Sequence, residues 1–226
     1  TYVVTNSQHT ELLNTGALGC ASCHMAAVPT SGPGAGKVGG HTFNIVDHDS
    51  GFENVENACN GCHTGLTSVD REARGDYDGD GTIEGVQTET LGLLNLLKDA
   101  LYAAGASRIL VNADTGLPTT ENDPDAHPSY PYWTTRRCTG GSRAGLACNG
   151  TGGGTAPFNC PGGTCDSTVP SGELATVEDA IWNWEYVDNS GDLGIKNTGY
   201  AVGLLQLTYE GLTGTVLDAY LRYLHP

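Results

Sequence analysis

Two five-residue units, CASCH at positions 20–24 and CNGCH at positions 59–63, carry the clearest chemistry in this sequence. A Cys-x-x-Cys-His unit is typical of covalent haem attachment, in which two thiols bond to the porphyrin edge and the imidazole ligates the iron. The pattern therefore predicts two haem c groups. The predicted attachment residues are Cys20, Cys23, Cys59 and Cys62, and the predicted near iron ligands are His24 and His63.

The same cysteine pairs also have alternative interpretations. A structural zinc site takes four ligands, but it does not require a histidine directly behind each Cys pair. A thioredoxin-like redox pair needs a βαβ context, which the sequence does not show. Covalent haem is therefore the preferred interpretation of both units.

The second axial face of each iron decides between an electron carrier and an enzyme. Met25, the single methionine, directly follows His24 and cannot reach the far face of the same iron. If histidine takes both far faces, no coordination position stays open, which favours electron transfer; an open face would indicate a haem enzyme. Five histidines lie outside the motifs: His9, His41, His48, His127 and His225.

The segment CHMAAV…GGHTFNI…ENACNGCH resembles the multihaem c-type cytochromes with doubled CxxCH motifs, a family that includes extracellular filament-forming (nanowire) members. The resemblance implies two bis-histidine haems, with His41 of the HTF segment and His9 of the SQHTELL segment as distal ligands. Relatives tend to have a histidine for an additional haem where Lys196 stands, so its absence implies only two haems. The weaker alternative ligands are His48, His127 and His225.

The same resemblance implies electron transfer outside the cytoplasm as the function, without enzymatic activity. In filament-forming members the haems stack in a continuous chain, and a histidine of one subunit can ligate a haem of the next. A head-to-tail filament is one expected assembly, with His9 as the candidate for exchange, and a soluble dihaem shuttle is the alternative. The expected partners are other copies of the chain, redox partner proteins or extracellular acceptors.

An acidic stretch, DYDGDGTIEGVQ at 76–87, has the oxygen spacing of a calcium-binding loop. Aspartates at loop positions 1, 3 and 5 are followed by the glycine that allows the sharp turn. The twelfth position carries Gln rather than the bidentate Glu of a full EF-hand, and a solvated acidic turn is the alternative. The predicted Ca²⁺ ligands are Asp76, Asp78, Asp80, Thr82, Glu84 and Gln87.

The other four cysteines show no CxxC spacing and lie in a glycine-rich segment, where they predict two disulfides. Four cysteines allow three pairings, and sequential pairing suits the two short loops CTGGSRAGLAC and CPGGTC. A zinc site is disfavoured because no histidine lies nearby and the spacing is irregular. The predicted disulfide cysteines are Cys138, Cys148, Cys160 and Cys165.

The chain of 226 residues carries a formal charge of −16, from 26 acidic and 10 basic side chains. This charge disfavours nucleic acid and anionic membrane surfaces as partners, and it favours a cation or a basic protein. No apolar run approaches the roughly 20 residues that span a bilayer. The start at Thr1, the haem motifs and the disulfides indicate a secreted chain, extracellular or periplasmic, whose signal peptide has been removed.

Apolar residues recur at helical spacing in TETLGLLNLLKDALYAAG, TVEDAIWNWEYV, GYAVGLLQLTYEG and TVLDAYLRYLHP, which predicts four helices. Abundant glycine and sparse charge predict extensive loops. The expected fold is mainly α with little or no sheet, a dihaem c-type cytochrome fold organised around the haems and packed as one compact unit. Its expected segments are a dihaem-binding region (1–68), a calcium-like loop and helix (69–130), a Gly/Cys-rich disulfide loop (131–175) and C-terminal helices (176–226).

Overall fold

The computed structural model describes residues 19–47, 49–149 and 159–217 of the chain. The chain divides into two compact units, each assembled from segments that are distant in sequence. Both CxxCH motifs and the acidic loop belong to unit 1, whereas the four remaining cysteines belong to unit 2. Unit 1 comprises residues 1–93, 190–203 and 218–226, and unit 2 comprises residues 94–189 and 204–217.

The first part of unit 1 is built from short elements that present the two motifs. Glycines with positive φ are frequent between the motifs, and the regular elements there are only a few residues long. A two-stranded antiparallel hairpin pairs Val46 with Glu53 and Asp47 with Phe52. The elements, in chain order, are α1 (Cys20–His24), a 3₁₀ helix (Gly40–Thr42), β1 (Val46–Asp47), β2 (Phe52–Glu53) and α2 (Val55–Ala58).

Three longer helices confirm three of the four helical predictions. They are α3 (Val86–Ala103), α4 (Leu174–Ser190) and α5 (Thr198–Thr213). The fourth predicted helix, at 215–226, falls largely outside the described residues.

The end of α3 shows how a glycine stops a helix. Gly105 has a φ of +95°, and its N–H donates to the carbonyl of Tyr102 at 3.0 Å. The N–H of Ala106 donates to the carbonyl of Leu101 at 2.9 Å. This pair of bonds is the Schellman arrangement, which satisfies the last free carbonyls of the helix. A Cβ on Gly105 would also lie only 2.7 Å from the carbonyl oxygen of Thr168, so the position requires glycine.

The expectation of little or no sheet is wrong, because the described residues contain three antiparallel sheets. In the largest sheet β3 lies between β4 and β5, and a bulge interrupts its register with β5. The fold is therefore mixed α and β rather than a mainly helical fold organised around haem. The additional strands are β3 (Ser107–Asn112), β4 (Pro118–Thr119), β5 (Ala126–Thr134), β6 (Arg136–Gly140) and β7 (Gly163–Ser167).

The central strand β3 has the sequence SRILVN, a short apolar run that periodicity alone does not assign to helix or strand. Ile109 and Val111 are buried and pack with Ala147. After the strand, the side-chain oxygen of Asn112 accepts the backbone N–H of Asp114 at 3.1 Å and turns the chain back. The run becomes a strand because partner strands on both sides satisfy its backbone while its apolar side chains are buried.

The disulfides join Cys138 to Cys160 and Cys148 to Cys165. Of the three pairings that the sequence left open, the sequential one that suits the short loops is therefore not the one formed. The β6–β7 hairpin places Cys138 opposite Cys165 in its register, and each forms its disulfide with a cysteine outside the hairpin ladder. The crossed pairing ties the segment between the two strands to both of them, which the loop lengths alone could not reveal.

The core of unit 2 contains three packed aromatic side chains. The Trp133 ring lies 5.3 Å from that of Tyr102 and 5.4 Å from that of Trp184, measured between ring centroids. The indole N–H of Trp184 donates to the carbonyl of Leu94 at 2.8 Å, which attaches α4 to α3 within this unit. Aromatic contacts of this kind stabilise the fold by more than the burial of apolar area alone.

No helix within the described ranges has both the length and the apolar character that crossing a bilayer requires. The two disulfides are in turn typical of chains that mature in an oxidising compartment.

We expect Leu97→Ala to lower the free energy of unfolding by about 2–5 kcal/mol, because it leaves a cavity at a fully buried position of α3. The matched control is Leu91→Ala in the same helix, where the side chain is 47% exposed. The control should change stability by less than about 0.5 kcal/mol. Urea unfolding followed by circular dichroism measures both variants, and equal losses would contradict the assignment of the core face.

Candidate functional site

Each CxxCH motif forms one helical turn in unit 1. The first motif is the helix α1 itself. In the second, the N–H groups of Cys62 and His63 both donate to the carbonyl of Cys59, at 3.0 and 2.9 Å. Residues three and four apart lie on the same face of a helical turn. The conformation therefore presents two thiols and one imidazole from each motif to the same side, as attachment to one porphyrin requires.

The two motifs lie next to each other. Helices α1 and α2 are in contact, and α2 leads directly into the second motif. Burial, followed by the proximity of the Cys62 and Cys20 thiols, raises the pKa of the Cys23 thiol. Burial and then the nearby Cys23 raise the pKa of the Cys59 thiol as well. Two haems attached here would be close neighbours.

The donor set fits haem c better than zinc. All four motif cysteines are free thiols, whereas the other four cysteines are paired as disulfides. Among the described residues, the motif thiols and imidazoles do not converge as metal ligands; the grouped ligand atoms are those of the acidic loop and of the two disulfides. Sulfurs already joined in disulfides are not thiolate ligands for a metal. Four free thiols spread over two turns suit two porphyrin edges rather than one tetrahedral ion.

The imidazole of His24 is oriented by a backbone carbonyl. Its Nδ1 lies 2.7 Å from the carbonyl oxygen of Phe43. An oxygen of this kind only accepts, so Nδ1 carries the proton and Nε2 keeps its lone pair for a metal. This second contact is the usual way in which proteins set the tautomer and direction of a ligating histidine.

The carbonyl belongs to a closed turn at residues 39–44, which we call the 39–44 turn. The N–H of Gly39 donates to the carbonyl of Asn44 at 2.7 Å, and the Thr42 hydroxyl donates to the carbonyl of Gly39 at 2.7 Å. Phe43 has a φ of +59°, a left-handed conformation that costs a residue with a bulky side chain about 1–2 kcal/mol. The turn maintains this conformation, which aims the Phe43 carbonyl at His24.

The structure places only part of the predicted distal ligand set. His41 is exposed and lies in the 3₁₀ helix of the 39–44 turn. His127 is exposed in β5, with its Nδ1 at 3.1 Å from the carbonyl oxygen of Pro128. His9, His48 and His225 lie outside the described residues.

Apolar side chains beside the first motif are unusually exposed. The exposed fractions are 37% for Met25, 40% for Val28 and 52% for Phe43. A Cβ on Gly39 would lie 2.7 Å from the Val28 side chain, so the 39–44 turn packs closely on the segment behind the first motif. Exposed apolar surface of this kind is typical of a ligand-binding surface, and a porphyrin is an apolar ligand that could cover it.

The acidic loop brings the carboxylates of Asp76, Asp78 and Asp80 together, with ligand oxygens within 4.8 Å of one another. The carboxylate of Asp76 accepts the N–H groups of Gly79 and Gly81, at 2.7 and 2.8 Å. Burial raises the pKa of the Asp78 carboxyl, and the nearby carboxylates add to the rise. These repelling groups form an arrangement that a cation would stabilise.

The other three predicted calcium ligands differ in their positions and in their hydrogen-bond partners. The backbone of Thr82 donates to Asp80 at 2.7 Å, so Thr82 stays at the loop. Gln87 instead lies in α3, where its N–H donates to Asp70 and its side-chain amide donates to the carbonyl of Asp192. Partial burial and then the nearby acids, led by Asp80, raise the pKa of the Glu84 carboxyl.

Glu89 organises the acidic loop by binding its backbone, a role that the loop pattern in the sequence did not indicate. It is fully buried, and its carboxylate accepts the backbone N–H groups of Tyr77 at 2.6 Å, Asp78 at 3.3 Å and Glu84 at 2.9 Å. Three N–H groups compensate for the burial of its charge. The one signal for this residue in the sequence was that it is an acid in the first turn of α3, where the helix dipole favours negative charge.

Comparison of the chain with protein-family models, with curated proteins and with solved structures found no match in any of the three.

We expect Glu89→Gln to lower the free energy of unfolding by about 2–3 kcal/mol, because the amide places an NH₂ group against backbone N–H groups that the carboxylate had accepted. The control is Glu72→Gln, an exposed glutamate of the same unit. Chemical denaturation at neutral pH measures both variants. If the two substitutions lower the free energy of unfolding equally, Glu89 does not organise the loop.

Proposed function

We propose that the chain carries two covalently attached haem c groups and transfers electrons between them by outer-sphere steps, without enzymatic activity. The observation that supports this best is the pair of CxxCH motifs, which lie side by side as helical turns with free thiols. The hydrogen bond between His24 and the Phe43 carbonyl adds a preset iron ligand. When bound, haem supplies the one-electron chemistry, and the chain supplies attachment, orientation and a fixed distance.

Each motif holds one haem in this proposal. The thiols of Cys20 and Cys23 would attach the first haem, and His24 would ligate its iron. Cys59, Cys62 and His63 would hold the second haem in the same way. Further histidines would complete the ligation of both irons, which would exclude substrate and limit the reaction to electron transfer. Because the two motifs lie next to each other, the two haems would be close enough to exchange electrons directly.

The proposed location is extracellular or periplasmic, since covalent haem and disulfides both belong to oxidising compartments outside the cytoplasm. The charge of −16 favours a basic redox partner or an extracellular acceptor. Two assemblies fit the proposal: a head-to-tail filament in which subunits exchange a histidine ligand, and a dihaem shuttle. Size-exclusion chromatography with negative-stain microscopy separates them, because only the filament gives polymers that grow with concentration.

Trypsin offers a direct test of attachment. Lys37 is the single basic residue between the motifs, so cleavage after Lys37 and Arg71 yields peptides 1–37 and 38–71 with one motif each. We expect each peptide from protein matured with haem to carry the mass of one haem. Mass spectrometry measures this, and Cys59→Ala combined with Cys62→Ala should remove the haem from peptide 38–71 alone.

The spin state tests the electron-transfer role. We expect the oxidised protein to show only low-spin ferric haem by electron paramagnetic resonance (EPR), because two histidines on each iron leave no open position. A high-spin signal from one haem would support a haem enzyme in place of a carrier. Peptides without added haem mass would overturn the proposal altogether.

We also propose that the acidic loop binds one structural Ca²⁺ ion. The support is the convergence of the Asp76, Asp78 and Asp80 carboxylates, since clustered oxygens of this kind match the preference of Ca²⁺. Thr82 and Glu84 complete the predicted set from the same loop. Gln87 would have to leave its hydrogen bonds with Asp70 and Asp192 to contribute its side chain.

We expect Ca²⁺ to raise the stability of chelator-treated protein, by about 2.7 kcal/mol when the free ion is at 100 times its dissociation constant. Asp76→Asn should abolish most of this gain, because it removes a carboxylate charge from the cluster. The control is Asp114→Asn, an exposed aspartate of another turn, which should keep the full gain. Calorimetric unfolding measures the effect, and a gain that survives Asp76→Asn would contradict this site.

A further inference from the structure

The 39–44 turn is held in one conformation by hydrogen bonds within it. Besides the bonds that close it through Gly39, the N–H of Asn44 lies 3.2 Å from the Thr42 hydroxyl, and the Asn44 side chain donates to the carbonyl of Lys37. The N–H of Gly40 also donates to the carbonyl of Ala26, directly behind the first motif. The positions of Phe43 and His41 are therefore linked.

The turn lies on the His24 side of the first haem. The two ring nitrogens of an imidazole point away from each other, and Nδ1 of His24 is held by the Phe43 carbonyl at 2.7 Å. The iron must then bind Nε2, on the opposite side of the ring. The Phe43 carbonyl is consequently behind His24, on the near face of that haem.

His41 cannot reach the far face of the same haem. It precedes Phe43 by two residues, a link that spans at most about 7 Å even when extended. To reach the far face, its side chain would have to pass the His24 ring and the edge of the macrocycle while Phe43 stays bound behind His24. A 3₁₀ helix over Gly40–Thr42 shortens the available reach further.

The second motif is attached to the same turn. Asn54, at the N-terminus of α2, is buried and its side chain donates to the carbonyl of Ala27 at 2.9 Å. Its backbone N–H donates to the carbonyl of Ile45, which directly follows the turn, at 2.8 Å. A Cβ on Gly39 would lie 3.2 Å from the Asn54 amide nitrogen. The 39–44 turn thus packs against the start of the helix that leads into the second motif.

We propose that the 39–44 turn serves both haems at once: its Phe43 carbonyl orients His24 on the first iron, and its His41 ligates the second iron. This inference rests on the proposed function, because it requires haem on both motifs. His63 and His41 then occupy the two faces of the second haem. The far face of the first haem is left to a histidine other than His41, from this chain or from a neighbouring copy.

The assignment is tested with full-length proteins that keep one haem each. In the variant that keeps the second haem (Cys20→Ala with Cys23→Ala), adding His41→Ala should convert the ferric haem from low-spin to high-spin in its EPR spectrum. In the variant that keeps the first haem (Cys59→Ala with Cys62→Ala), adding His41→Ala should leave the spectrum unchanged. The control is His127→Ala, another exposed histidine, in the variant that keeps the second haem, where it should leave the spectrum low-spin.

The opposite pattern, with only the first haem converted, would overturn the assignment, and so would two unchanged spectra. The tryptic haem masses are read on the same samples, so absent haem is distinguished from a wrongly assigned ligand. If a single-haem variant fails to mature, a crystal structure of the two-haem protein decides directly. His41 bound to the iron of the Cys59–Cys62 haem supports the proposal, whereas His41 on the other iron or unbound contradicts it.

Discussion

The hydrogen bond between His24 and the carbonyl of Phe43 is the constraint on which the candidate haem region depends. It joins the first motif to a turn that follows 19 positions later, in a stretch where glycine prevents any long regular element. Without a long helix or a large sheet to position it, the motif relies on this bond and on the close packing of Gly39 behind it. Asn54 extends the same network to the second motif.

A second constraint is the large excess of negative charge. In the acidic loop the chain uses backbone N–H groups to compensate for carboxylates: two N–H groups on Asp76 and three on the buried Glu89. Burial, and then the neighbouring carboxylates, still raise the pKa of the Asp78 carboxyl. The loop is therefore preshaped by its backbone and remains electrostatically suited to a cation, which connects its local geometry to the proposed Ca²⁺ ion.

Sequence reasoning succeeded where the controlling contacts are local. The helix α3 and its end at Gly105 follow from apolar spacing and from the conformational freedom of glycine. Sequence reasoning failed where the interacting residues are distant in the chain. The strand β3 is only a short apolar run until its neighbouring strands are known. The disulfides are crossed because the β6–β7 hairpin controls which cysteines meet. Glu89 was missed for the same reason, since its partners are backbone groups that carry no side-chain signature.

The sequence alone predicts the proposed haem attachment, because the spacing of CxxCH places two thiols and an imidazole on one face of any helical turn. It also predicts the acidic loop, whose glycines and aspartates act within a few residues of each other. The tertiary structure was needed to show that the motifs are neighbours, that the Phe43 carbonyl orients His24, and that His41 belongs to the same turn as Phe43. These relations depend on how the glycine-rich segment folds back on itself, and contacts between distant residues leave no local pattern in the chain.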